Sequence, residues 1–222
     1  MKHEISRRKF ISLGALSAGL LMTPSFAFAD VDDSNKNTSN TNSAKFSALL
    51  FTKDGELLAS TNKNARISTD QNFKLVEEHN CYENSDGSFT ATYGVNLYTP
   101  SLAKVGIVDD QPAAYISYDI TYYFTGSNIC ITKGVGTAYP KQSYALMGDR
   151  TLVIHQGFAS LGTCHFETVF RQNSYTHITG WDPMPYINSN DSDGHVRNGG
   201  ECTADLTLTG MGETILRVEY VV

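Results

Sequence analysis

The sequence predicts an all-β fold, an antiparallel β-sandwich or barrel of roughly 8–11 short strands. Three observations carry that prediction. Tyr and Phe number 12 and 11, and Gly reaches 18, a balance that favours strands and tight turns over helices. The segments Ser88 to Tyr98 and Ala114 to Phe124 alternate apolar and polar residues. Turn-forming residues punctuate the apolar runs, and almost no helical period appears between them.

Residues 30–44 are rich in Asp, Asn, Ser and Thr and cannot bury a core, so a disordered spacer is expected there, followed by a single domain over 45–222. Phe46–Thr52 and Glu56–Thr61 flank Lys53-Asp54-Gly55, a hairpin signal. Asn62 to Gly87 reads as polar and irregular, with Asp70–His79 a short helix or a strand. In the first alternating segment Phe89, Ala91, Tyr93, Val95 and Leu97 share one face, and Ser88, Thr90, Thr92 and Asn96 the other. In the second, Ala114, Ile116, Tyr118, Ile120, Tyr122 and Phe124 oppose Tyr115, Ser117, Asp119, Thr121 and Tyr123. Such alternation predicts antiparallel strands with one face in the core and one in water. Shorter strands are expected at Asn128–Val135, Thr151–Phe158, Leu161–Gln172, Tyr175–Trp181, Thr203–Thr209 and Glu213–Val222.

The N-terminus reads Ser6-Arg7-Arg8-Lys9-Phe10-Ile11, followed by a moderately apolar stretch from Ile11 to Met22 and by Ala27-Phe28-Ala29. This resembles a bacterial twin-arginine export signal, in which paired Arg precede Phe and an aliphatic residue, with cleavage after a small-x-small triplet. The resemblance is confined to residues 1–29. It implies cleavage between Ala29 and Asp30 and a secreted, extracellular protein exported in the folded state. No later stretch reaches the ~20 apolar residues of a membrane helix, so no stable anchor is expected after cleavage. The chain carries a net charge of −6, and losing Lys2, Arg7, Arg8 and Lys9 with Glu4 makes the remainder more acidic. That balance argues against nucleic acid and anionic membranes as partners.

The four cysteines, Cys81, Cys130, Cys164 and Cys202, form an even set, which in an exported protein suggests two disulfides. Three pairings are possible. Cys164 shares a strand face with Phe166 and Phe170, and Cys202 with Ala204, Leu206 and Leu208, so strand phase favours Cys164–Cys202 and leaves Cys81–Cys130. No C-x-x-C pair supports a cysteine metal site.

Four side-chain groups are candidate sites. If Val153 stands opposite Glu167 in a hairpin, His155 meets His165 on one face with Glu167 two residues on, a set able to hold zinc or copper. The bland alternative is a polar outer face, and a one-residue slip would destroy the pair. Asn188-Ser189-Asn190-Asp191-Ser192-Asp193-Gly194 offers hard oxygen ligands suited to calcium, or a plain solvated turn. Trp181-Asp182-Pro183-Met184-Pro185-Tyr186 holds the only Trp, and its prolines confine it to a loop or an edge. Trp181, Tyr186 and Asp182 could grip a sugar or a peptide, or the rings could plug the core. Tyr115, Asp119 and Tyr123 share a polar face able to line a groove.

No nucleophile elbow, phosphate loop, dinucleotide fingerprint or haem motif is present. The expected function is therefore a secreted binding or interaction module for a carbohydrate, cell-wall or protein ligand, without catalysis and with no predicted cofactor. The alternative is a small secreted metalloprotein or hydrolase using His155, His165 and Glu167.

Overall fold

The structure, a computed structural model, describes residues 45–62, 73–100, 111–158, 162–186 and 198–222, with only the backbone described at 158 and 162. The expected signal (1–29), the spacer (30–44) and the Asn188–Gly194 loop lie outside these residues. The described residues belong to one compact unit. They contain no helix and form an all-β sandwich of two packed antiparallel sheets.

The strands are β1 (Lys45–Thr52), β2 (Leu57–Ser60), β3 (Lys74–Glu83), β4 (Phe89–Tyr98), β5 (Ala114–Thr125), β6 (Asn128–Pro140), β7 (Ala145–Phe158), β8 (Gly162–Phe170), β9 (Ser174–Ile178), β10 (Met184–Pro185), β11 (Gly199–Leu208) and β12 (Gly212–Val221). The first sheet runs β2-β1-β12-β11-β7-β8. The second runs β10-β6-β5-β4-β3, with β9 also paired to β6.

Alternation builds the core. Ile116, Tyr118 and Ile120 of β5 are fully buried, as are Tyr93, Val95 and Leu97 of β4, and they meet Leu152, Ile154, Cys202 and Val218 of the other sheet. Close approach of the sheets depends on small residues along β6. A Cβ at Gly136 would stand 3.0 Å from Cys202 Sγ, 3.3 Å from Phe170 and 3.4 Å from Leu152, so the sheets could not close over a larger side chain there.

Three expectations are corrected. The stretch expected to be irregular, with a short helix or a strand over Asp70–His79, contains β3, a strand that runs on to Glu83 and is paired along its whole length from Lys74↔Tyr98 to Glu83↔Phe89. Its charges left helix and strand undivided in the sequence pattern. Lys74, Glu77, Glu78 and Glu83 lie on an edge strand, where charge discourages pairing with a further chain. Secondly, the polar face of β4 and β5 is less wet than alternation predicts, since Thr90, Asn96, Ser117 and Thr121 are buried among their neighbours. Thirdly, all four thiols are free. Cys202 stands opposite Leu152 and Cys164 opposite Gln156, so two strand spacings and four residues separate them. That places their Cα atoms about 16 Å apart, beyond the roughly 7 Å a disulfide spans. Cys81 aligns with Ala91 and Ile120 on the inner face of its sheet, whereas Cys130 aligns with Tyr123 on the outer face, so that pair is separated by the sheet itself.

Candidate functional site

The β7–β8 hairpin has the register that alternation implies, with Val153↔Glu167 and His155↔His165. The two imidazoles stand side by side on the outer face. Their Nδ1 atoms are 3.0 Å apart, and the ring centroids 4.7 Å apart with planes tilted by 35°. Glu167 lies 3.5 Å from the other nitrogen, Nε2, of His165. A carboxylate there favours the tautomer with its proton on Nε2 and leaves Nδ1 with a lone pair. Glu167 therefore supports His165 and does not face the point between the rings. Among the described residues no three His, Cys, Asp or Glu side chains gather in a metal-holding group. The hairpin thus offers two nitrogens and a supporting carboxylate in place of the expected three ligands. On the β11 side, His155 is paired with Gly199, with Glu201 the diagonal neighbour on the same face.

The aromatic loop lies along the edge of β6, in the interval between β9, which pairs with 133–137, and β10, which pairs with 128–129. Buried Gln156 crosses from β7 to fill this interval. Its Oε1 accepts from Ile131 N at 2.5 Å, and its Nε2 donates to Asp182 O at 2.7 Å. Cys130 Sγ donates to Trp181 O at 3.1 Å. Trp181 and Tyr186 are half-buried and pack against the core, with Tyr186 edge-on to Phe124 at 5.2 Å. Both rings are therefore engaged in closing this end of the sandwich, while Asp182 is exposed.

The outer face of the β3–β6 sheet concentrates polar and aromatic groups. Tyr115 lies across Gly94: a Cβ there would collide with Tyr115 Oη and reach its Cζ at 3.0 Å. Tyr139 packs beside Tyr115 at 5.3 Å, and Lys141 Nζ lies 5.2 Å from the Tyr115 ring. Lys141 donates to Asn96 Oδ1 at 2.6 Å, and Asn96 Nδ2 donates to Glu78 Oε1 at 2.5 Å. Farther along β5 sits Asp119. Burial pushes its carboxyl above the ordinary value, partly offset by a hydrogen bond with Thr92 and the charge of Lys133. Its Oδ1 is buried and has no hydrogen-bond partner. Tyr115 and Asp119 belong to the polar face seen in the sequence. Tyr139, Lys141 and Glu78 join it through strand pairing, which sequence spacing does not reveal.

One further cluster, not among the sequence candidates, forms where β3 meets β4 and β1. Glu77 accepts from Tyr93 Oη at 2.7 Å and lies 3.8 Å from His79. The bond with His79 and that with Tyr93 hold its carboxyl below the usual range against the opposing effect of burial. Phe46 packs on both His79 and Tyr93, at 4.6 and 5.2 Å, so the cluster ties β3 to β1.

Comparison with family models, curated proteins and solved structures returned no match, so the residues of this chain alone carry the functional argument.

Proposed function

We propose that the protein is an exported, non-catalytic binding module that holds a saccharide on the outer face of the β3–β6 sheet. The observation that carries this reading is Asp119. A buried acceptor without a donor is costly in the free protein, and a ligand hydroxyl that displaces a covering neighbour and donates to it offsets that cost. Saccharides supply such hydroxyls together with apolar C–H faces that pack on tyrosine rings, and Tyr115 and Tyr139 stand on the same face. The export signal that residues 1–29 resemble would deliver the protein to the compartment where cell-wall and environmental glycans occur. Trp181 and Tyr186, engaged with the core, have a lesser part in this reading.

A glycan array that includes cell-wall fragments, followed by calorimetry on the hits, tests it. Binding that is lost in Asp119→Asn and in Tyr139→Ala, with the melting transition retained, is the expected result. A chain that binds no glycan, or variants that bind as well as the parent, would overturn it. Capture of a peptide ligand on this same face would replace the saccharide with a protein partner.

A further inference from the structure

We propose that His155 and His165 form a binding site for one divalent copper ion on the outer face of the β7–β8 hairpin. This inference is independent of the saccharide reading, because it uses the opposite sheet.

The two nitrogens are close enough to share one ion. With metal–nitrogen bonds of about 2.0 Å, an Nδ1–Nδ1 distance of 3.0 Å subtends ~97° at a shared ion. Tetrahedral coordination, which zinc prefers, needs ~109° and a separation of about 3.3 Å. Adjacent corners of a square need ~90°, the tetragonal arrangement of copper(II). The observed spacing lies between the two, so either ion can reach both nitrogens with little movement of the rings. The order of divalent affinities at nitrogen sites places copper first.

The protonation of the pair suits a ligand. Glu167 at Nε2 of His165 holds the proton away from Nδ1, as the outer carboxylate of many metal-bound histidines does. In the metal-free protein the 3.0 Å contact is a hydrogen bond between the two Nδ1 atoms, with the donor set by the tautomers. Copper replaces that shared proton. The donating ring shifts its proton to its own Nε2, so two neutral imidazoles present Nδ1 lone pairs and bind the ion with no net proton release. Water completes the remaining positions, since the protein supplies two nitrogens.

Cross-strand pairing holds the two residues directly opposite one another, so the rings are neighbours before any ion binds. The site is accessible, with the His165 and Glu167 side chains 48% and 53% exposed.

The test is titration of the full chain with copper(II), followed by electron paramagnetic resonance and calorimetry, with zinc(II) as the competitor. One equivalent should bind with a tetragonal spectrum showing coupling to two imidazole nitrogens. Saturable one-equivalent binding should be lost in both His155→Ala and His165→Ala. Glu167→Gln should keep the stoichiometry and weaken affinity roughly tenfold. Histidine footprinting with diethylpyrocarbonate on the unmodified chain adds a measurement that needs no variant: copper should protect His155 and His165 and leave His79 reactive. Copper binding that persists unchanged in both alanine variants, zinc binding more tightly than copper, or footprinting protection located elsewhere would each overturn the proposal.

Discussion

On and around the outer face of the first sheet, charges meet their opposites. Lys53 lies 2.9 Å from Glu213, Arg171 2.7 Å from Asp149, and Arg217 2.5 Å from Glu201 and 3.3 Å from Glu219. On the outer face of the second sheet, Asp119 sits among Thr92, Ser117 and Thr121, with one oxygen buried and unpartnered. The two faces belong to the same class of antiparallel sheet, yet they offer a ligand different terms. A charge already paired must give up its partner before it can hold anything new. An unsatisfied acceptor, by contrast, gains from the first donor that arrives. The second face thus offers an acceptor to a donating ligand, whereas on the first the Arg217 Nε donor is buried without a partner between carboxylates and the histidine contact is a replaceable hydrogen bond.

Several variants can break or sharpen that contrast. The largest effect is expected at Gly94. Gly94→Val forces the Tyr115 ring off the sheet and should lower stability by about 1–3 kcal/mol, together with loss of glycan binding. An unchanged melting temperature would mean that Tyr115 is not held there. Next comes Arg217→Ala, which leaves two partly buried carboxylates without their cation and should lower the urea-derived stability by about 1–2 kcal/mol. Lys53→Ala, at an exposed pair, should leave the urea midpoint unchanged. Equal losses at both sites would erase the distinction between buried and exposed pairs on the first face.

The carboxylates give two smaller effects of opposite sign. Asp119 is raised from 3.8 by burial, so the folded state holds its proton more tightly than the unfolded chain does. Its contribution is greatest below pH 3.8 and declines as pH rises through the folded value. Asp119→Asn should therefore raise stability at neutral pH by up to about 1 kcal/mol and flatten the pH profile above 4. A variant less stable than the parent at pH 7 would contradict the desolvated, unpartnered state of this carboxylate. Glu77 is lowered from 4.5, mainly by the bond with His79, so its contribution is present above pH 4.5 and is lost as pH falls through the folded value. Glu77→Gln should slightly lower stability at pH 7, with the difference disappearing in acid. It is the smallest effect of the set, because water screens this exposed carboxylate.

Some of this was legible before any coordinates. The inward rows of β4 and β5, the Asp54-Gly55 hairpin and the His155–His165 register follow from period-2 alternation and turn chemistry, which act between near neighbours in sequence. Strand β3 was legible only as a helix or a strand ending at His79, because an edge strand draws its hydrogen bonds from one neighbour and buries little apolar surface, leaving a weak alternating pattern. The cysteine pairing failed for a related reason. Phase along a strand says which side chains share a face, but it does not say how many strands lie between two faces.

The sequence by itself therefore determined the class of fold, the inward side of each alternating strand and the meeting of the two histidines across a short turn. Tertiary structure alone decided that β1 lies beside β12 and β11 beside β7, that Glu167 stands on the outer nitrogen of His165, and that Tyr139 and Glu78 join Tyr115 around Gly94. The division has a physical cause. Alternation and turns are set by local sterics and hydrogen bonding. The order of strands in a sheet, and so the company each polar group keeps, is set by which distant surfaces bury one another most completely.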